Sequence, residues 1–387
     1  FLLSERSYLG NILFDRTRGV ALSIILAYNL FKRLTFLYQS NVKRLSEVEM
    51  KATIYDVAKL ANTSIATVSY VLNNSRRVSK ATAERVRRAI EELNYQPKAS
   101  AQALARGQTL TITLIAPLSI YSYQASLHSL IGGIGEVLQT TDYRLYVHPT
   151  LEREGSLMEI EAAIRSHQMD GVILMHIEPE DPRVELLQRN EVPFVLIGRC
   201  DRCETLTYVD ADVEAVINLA LKHLHDLGHE KIGMFGERGK ASITHRLVYG
   251  FKNTMLSLGL AYNHDYNADF SDEPEDVDRA IFGVLSSSNR PTAVFAVSDL
   301  AVLGTYKIAS HLNLRIPKDL AVIGYADSPI YPFLNPSCSA AFSGARELGK
   351  TAAELLLEKL LDDPGYPKQI LIPPQLIIRE STGNPKE

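Results

Sequence analysis

Few residues in this 387-residue chain have the types and spacing to make or break covalent bonds. Cys200-Asp201-Arg202-Cys203 has the spacing of a zinc half-site or a redox pair. Zinc needs four ligands, however, and only Cys338 and scattered histidines remain to help. A redox pair sits best at a helix start, where the thiolate is stabilised; this one follows a strand candidate and reads as an ordinary loop. Gly132-Gly133-Ile134-Gly135 lies inside a helix-like segment, so it makes a weak dinucleotide fingerprint. There is no Gly-x-Ser-x-Gly, no His-Glu-x-x-His and no phosphate-binding glycine loop. No catalytic residue, metal ligand or cofactor is therefore assigned, and the chain reads as something other than an enzyme.

Hydrogen-bonding groups are better supplied, and they gather in two places. Thr53, Thr67, Ser69, Tyr70 and Asn73 lie close together near the start of the charged part of the chain. Tyr121, Tyr123, His176, Arg199, Arg246, Ser298 and Asp299 fall at the ends of apolar strand candidates, and aromatic faces with a few polar groups suit a carbohydrate-like ligand. Charge separates the two groups. Residues 50–108 carry ten Lys and Arg against four Asp and Glu, a net of +6, whereas residues 109–387 carry 24 against 37, a net of −13. A small basic block on a large acidic body is the asymmetry of a chain with one end on a polyanion. Three cysteines in this length argue against a disulfide scaffold and for a reducing compartment.

The elements that must position these groups follow from the pattern. Thr53-Ile54-Tyr55-Asp56 is a capping-box start, and Ile54, Val57, Ala58 and Ala61 form one apolar stripe. Asn62-Thr63-Ser64 breaks that helix, and Ser64 caps a second, from Ile65 to Leu72. Val68, Val71 and Leu72 turn inward there, leaving Ile65, Ala66, Ser69 and Tyr70 outward. Ser79 caps a third helix with Val86, Ala89, Ile90 and Leu93 inside. Two helices across a short turn with a third packed on them form a helix-turn-helix, whose second helix fits a major groove.

Thr53-Ile54-Tyr55-Asp56-Val57-Ala58, Ala66-Thr67-Val68-Ser69, Val71-Leu72-Asn73, Val78-Ser79 and Leu93-Asn94-Tyr95-Gln96-Pro97 together resemble the amino-terminal signature of the LacI/GalR family of bacterial transcription regulators. The resemblance implies that Ile65, Ala66 and Tyr70 contact bases, and that Thr53, Thr67, Ser69 and Asn73 position the head or touch phosphates. Tyr70 stands where arginine or histidine is usual. It lacks a bidentate fork, so the operator differs from that of Arg-bearing relatives at this position. Ala99 to Arg106 resembles the family's hinge helix, with Ala101 and Leu104 in the minor groove and Leu104 as the wedge that opens a base step.

Beyond Thr109, apolar strands alternate with amphipathic helices, which gives an α/β body with parallel sheets covered on both faces. Two such runs suggest two doubly wound lobes with the ligand beyond the carboxyl ends of the strands. This body is similar to the family's regulatory core, itself like periplasmic sugar-binding proteins. Residues 1–49 read as a leader that is non-native or disordered, since the apolar run Gly19–Phe31 is too short to span a bilayer. Residues 50–97 read as the DNA-binding domain, 98–108 as the hinge and 109–387 as the core. Lobe 1 is expected at about 109–207 plus 337–365, and lobe 2 at about 208–336 plus 366–387.

In that core the effector residues implied are Tyr121, Tyr123, His176, Arg246, Ser298 and Asp299. Their pattern departs from the family's. Arg246 stands one residue early relative to Gly250-Phe251, a helical rotation of about 100° that turns it away from the cleft. Ser298-Asp299 replaces Asn-Asp, and Ala326-Asp327 replaces an acidic pair. A less hydroxylated ligand than a simple sugar is expected. The overall expectation is a cytoplasmic homodimeric repressor on a near-palindromic double-stranded operator, modulated by a small ligand, with no membrane partner. A solute receptor that uses the lobes for capture alone is the competing reading.

Overall fold

The computed structural model describes residues 52–73, 78–95, 108–117, 124–150, 153–200, 367–385 and, apart from 238, 240, 272 and 327, residues 203–361. The expected leader, the hinge residues Ala101 and Leu104, and Tyr121 and Tyr123 lie outside the described residues. The chain divides into a unit that ends at Lys98 and one that begins at Ala99.

In the first unit, α1 (Ile54–Leu60), α2 (Ile65–Asn73) and α3 (Lys80–Glu92) enclose Val57, Ala58, Ala61, Val68, Val86 and Ala89. Ile54, Val71, Leu72, Ile90 and Leu93 pack around that centre, so the apolar stripes read from the sequence are the faces that close the domain. Asp56 reaches back from the first turn of α1 to accept from the Thr53 amide (2.8 Å) and hydroxyl (2.6 Å). Ser64 accepts from the Thr67 amide at 3.1 Å and Ser79 from that of Thr82 at 3.2 Å, capping α2 and α3. Asn62 takes φ +47° in the turn between α1 and α2, a left-handed conformation that asparagine tolerates better than branched residues. Arg85 of α3 donates to the Ala61 carbonyl at the end of α1 (3.3 Å), where the helix dipole favours a cation.

The second unit carries two six-stranded sheets. The first contains β1 (Thr111–Pro117), β2 (Arg144–Thr150), β3 (Gly171–Met175), β4 (Phe194–Ile197), β5 (Tyr208–Ala211) and β11 (Gln369–Ile372). Their order is β11-β5-β4-β3-β1-β2 and every pairing is parallel. The second contains β6 (Ile232–Glu237), β7 (Ala268–Phe270), β8 (Ala293–Ala296), β9 (Ala321–Gly324), β10 (Ser339–Phe342) and β12 (Gln375–Ile377). Its order is β12-β10-β9-β8-β6-β7, parallel except for the antiparallel β10–β12 pair. Around the first sheet run α4 (Gln124–Leu138), α5 (Arg153–Arg165), α6 (Pro182–Arg189) and α11 (Ala345–Leu360); around the second run α7 (Val213–Asp226), α8 (Ser242–Ser257), α9 (Pro274–Leu285) and α10 (Asp299–His311). Each sheet has a buried apolar cluster on both faces, which is why its strands read as continuous apolar runs.

The lobe boundaries differ from expectation at all three crossings. Tyr208–Ala211, expected to open lobe 2, is a strand of the first sheet. Ser339–Phe342, expected in lobe 1, belongs to the second sheet, and Gln369–Ile372, expected in lobe 2, belongs to the first. Each crossing thus falls a few residues later, at the carboxyl end of a strand. Four-residue apolar strands look alike in either sheet, and membership is decided by which strands they pair with, β5 between β4 and β11 and β10 between β9 and β12, which local pattern does not record.

The Gly-Gly-Ile-Gly run has a packing role. A Cβ on Gly133 of α4 would lie 2.0 Å from the Arg346 carbonyl oxygen, and one on Gly349 of α11 would lie 2.1 Å from that of Leu130. These two glycines let the backbones of α4 and α11 meet.

Candidate nucleic-acid interface and interlobe cleft

Within the first unit, α2 turns Val68 wholly inward and leaves Ile65 and Ala66 exposed, with Thr67, Ser69 and Tyr70 half-buried beside them. The Thr67 hydroxyl is 2.9 Å from that of Ser64, so it is tied into the cap of its own helix. Thr53 is exposed at the start of α1. Asn73 is the last residue of α2. Exposed Lys59, Lys80, Arg87 and Arg88 add cationic groups to the same unit. An exposed helix start with small and apolar side chains suits base edges and thymine methyls, and the cations suit phosphates.

In the second unit a cavity of about 290 Å³ opens at the carboxyl ends of the strands. Met175, His176 and Ile177 at the end of β3, Ile197 to Arg199 at the end of β4, and Asp210 of β5 form its first-lobe side. Ser242, Ile243 and Arg246 of α8, Tyr325 after β9 and Phe342 of β10 form the opposite side. The lobes are clasped there by the Ser242 amide, which donates to the Ile177 carbonyl at 2.9 Å.

Arg246 enters the cleft, against the expectation from its register. Its guanidinium donates to Asp210 at 2.5 Å and to Glu214 at 3.1 and 2.9 Å. The reason lies in α8, whose buried face is Leu247, Gly250, Phe251, Thr254 and Met255. Gly250 sits against Ile217 of α7, and Phe251 stacks on Phe295 with centroids 6.4 Å apart. With that face fixed, Arg246 at the start of the second turn points over the strand ends. Arg199 from the other lobe donates to the same two acids, at 2.7 Å to Asp210 and 3.4 Å to Glu214. Burial pushes the Asp210 carboxyl above its ordinary value, opposed by the two guanidinium groups. The hydrogen bond from Arg246 holds Glu214 below its ordinary value. Burial works against the charge of Arg246, and the two carboxylates outweigh it. Two cations and two anions thus neutralise one another in a largely apolar cleft.

The remaining expected effector residues divide. His176 lines the cleft at the end of β3 with φ +58°. Ser298 is buried and caps α10, accepting from the Ala301 amide at 3.2 Å, and it borders a smaller neighbouring cavity beside Tyr325. Asp299 follows it in the first turn of α10 and accepts from the Ser328 hydroxyl at 3.0 Å. Burial pushes its carboxyl up against hydrogen bonds from Ser328 and Tyr331. Asp299 lines neither cavity. Asp210 and Glu214 escaped the sequence reading. Their one visible signal is a pair of acids astride a strand-to-helix junction.

The expected loop at Cys200 and Cys203 is closed by a disulfide, with Cα atoms 5.6 Å apart. Among the described residues no group of three or more His, Cys, Asp or Glu is placed to hold a metal ion. No described helix is long and apolar enough to cross a membrane.

The model of bacterial regulatory proteins of the lacI family matches residues 53–98, and that of the periplasmic binding protein-like domain matches 221–382. The HTH-type transcriptional repressor PurR of Photobacterium profundum is 30% identical over 334 residues, covering 85% of this chain and 98% of that protein. The chain belongs to the LacI family. The ribose operon repressor of Haemophilus influenzae is likewise 30% identical over 337 residues, covering 85% and 98%. Among solved structures, the transcriptional regulator CelR in complex with cellobiose superposes with a TM-score of 0.66 at 26% identity, covering 85% of this chain and 99% of that one. The Lac repressor dimer bound to operator and anti-inducer shares the fold with a TM-score of 0.74 at 22% identity, covering 86% and 99%. As a LacI-family member, this chain is a DNA-binding transcription regulator, and the named relatives are regulators rather than enzymes.

Proposed function

We propose that this chain is a cytoplasmic homodimeric repressor without enzymatic activity, in which Ile65, Ala66 and Tyr70 read bases and the interlobe cleft takes a small, weakly charged effector. The exposed start of α2 on a closed three-helix head carries the first part of the reading. Thr53, Thr67, Ser69 and Asn73 set the head on the backbone, and Leu104 with Ala101 opens the central base step. PurR and the ribose operon repressor, both named repressors, support the sign of regulation.

The mutual neutralisation of Arg199, Arg246, Asp210 and Glu214 supports the second part. An anionic ligand would compete with the buried Asp210 and the exposed Glu214 for both guanidinium groups, whereas a neutral ring fits between Ile177, Ile243, Tyr325 and Phe342. His176 and Arg246 form the polar part of that wall; Tyr121 and Tyr123 are proposed to join it. Ser298 and Asp299 act from behind it by fixing α10. The ligand regulates by binding two lobe arrangements with different affinity.

The test compares duplex selection by the full chain with selection by variants. Tyr70→Ala should change the preferred base at one position per half-site, while Leu104→Ala should lower affinity on every selected sequence and leave the preference intact. If Tyr70→Ala lowers affinity equally on all sequences, Tyr70 is not a base reader. If Leu104→Ala binds as tightly as the parent, the wedge is wrong.

A further inference from the structure

We propose that Cys200 and Cys203 form a thiol–disulfide exchange site whose oxidation state sets how firmly Arg199 is held on the carboxylates of the cleft. The pair stands at the carboxyl end of β4, immediately after the cleft residues Gly198 and Arg199. Its two cysteines are unequal. Cys203 is 6% exposed and belongs to the apolar cluster beneath the sheet, whereas Cys200 is half-buried at the edge of that cluster. The Cys203 carbonyl accepts from the Gln369 side chain of β11 at 3.0 Å, as does that of Glu204 at 3.1 Å. Cys203 is therefore anchored to the far edge strand of the sheet, and the disulfide passes that anchorage to Cys200.

One residue upstream, Arg199 reaches Asp210 and Glu214, the same two acids that Arg246 takes from the other lobe. The amide of Gly198, which precedes Arg199, donates to the Val209 carbonyl at 2.9 Å, and Gly198 has φ +105°. Glycine is free to adopt that conformation, so the strand end is held by its bonds and not by its own backbone preference. With the disulfide closed, Arg199 is held on both sides. With it open, the covalent tie is lost, leaving the Arg199 ion pairs, the Gly198 bond and the hydrogen bond from the Cys200 amide to the Cys203 sulfur (2.7 Å), and Asp210 is shared less evenly with Arg246 across the lobes.

The exchange needs a low-molecular-weight disulfide as oxidant. The Cys200 thiolate, the more accessible sulfur, attacks one sulfur of that disulfide and expels a thiolate, forming a mixed disulfide. The Cys203 thiolate then attacks the Cys200 sulfur and expels the second thiolate. Two protein thiols and one small disulfide become one protein disulfide and two small thiols. Reduction by excess thiol runs the same steps backwards. Cys338 is buried in the other lobe and takes no part.

The full chain, equilibrated in glutathione buffers from fully reduced to fully oxidised, tests this. Alkylation and peptide mass measure the Cys200–Cys203 bond, with Cys338 as the internal reference thiol, and amide hydrogen exchange is followed over residues 194–200 and 208–214. The bond should form and break reversibly across the series, and oxidation should slow exchange over both segments by about tenfold. Cys200→Ser and Cys203→Ser should exchange at the reduced rate in every buffer. A pair that stays reduced in oxidised glutathione, or stays bonded in excess reduced glutathione, would overturn the exchange site. Reversible bonding with equal exchange over 194–200 and 208–214 would overturn its coupling to the cleft.

Discussion

Tyr70 and Arg246 show what single side chains decide here. A tyrosine can offer one hydroxyl and a ring face to a groove, so its contribution to specificity is confined to one base pair and to the worth of a single hydrogen bond, about 0.5–1.5 kcal/mol. Arg246 works on the protein's own charges. Replacing it with Met would leave Asp210, whose side chain is 5% exposed, with Arg199 as its remaining partner in the cluster. Because Asp210 keeps Arg199, the loss is that of the Arg246 hydrogen bonds to the carboxylates, about 1.5–3 kcal/mol, so Arg246→Met should melt lower than the parent in thermal unfolding. An unchanged midpoint would mean that the ion pairs are not formed in solution. The sequence shows Arg246 and its displacement relative to Gly250-Phe251 plainly. It does not show Asp210 and Glu214 converging on it, because the four groups come from the ends of two strands, β4 and β5, and from two helices, α7 and α8. The expectation that a one-residue shift removes Arg246 from the cleft fails for a related reason: the long side chain bridges whatever angle the helix leaves.

At the scale of elements, glycines and histidines mark where segments are forced together. Gly349→Ala would drive a methyl group towards the Leu130 carbonyl at 2.1 Å, and overpacking of that kind costs about 3 kcal/mol. Gly135, two positions beyond Gly133 in α4, has nothing within 4 Å of a built Cβ. Gly135→Ala should therefore stabilise the chain by about 0.5–1 kcal/mol through helix propensity. Chemical denaturation of the pair checks both signs at once.

The carboxyl-terminal segment is stitched to the second lobe by His229, whose Nε2 bonds the Gly383 carbonyl at 2.8 Å, and by His223, which meets Thr382 at 3.0 Å. Burial lowers the pKa of both imidazoles. The unfolded chain then takes up protons that the folded one resists, so stability is lost as pH falls below the ordinary imidazole value of about 6.5. The slope of melting temperature against pH between 7.5 and 5.5 should flatten in His223→Gln/His229→Gln, and an unchanged slope would contradict the assignment.

Helix starts in the first unit were legible because Thr53, Ser64 and Ser79 act within four residues of themselves. The lobe crossings were not, because β5, β10 and β11 acquire their identity only from the strands they pair with, which their own four residues do not record. The run at Gly132 was visible as a motif, but its meaning depended on α11, more than two hundred residues on.

At the scale of the whole molecule, the charge asymmetry follows the division into two units. The basic head and the acidic lobed body perform different tasks, and only the head gains from a polyanion. The body answers to ligands. Screening the full chain by thermal shift should find neutral ring compounds that raise the melting point, since a ligand bound only by the native state at a hundred times its dissociation constant adds about 2.7 kcal/mol. Sugar phosphates should fail to do so. A sugar phosphate that outperforms every neutral ring would show that the arginine–carboxylate cluster opens readily to anions.

The most direct measurement of the central claim is sequence selection by the full chain from a random duplex library at physiological salt. Near-palindromic sites should be enriched, bound as a dimer and exceeding random duplex by at least about a thousandfold in affinity. Retention of all sequences alike, with an affinity that depends only on salt, would contradict it.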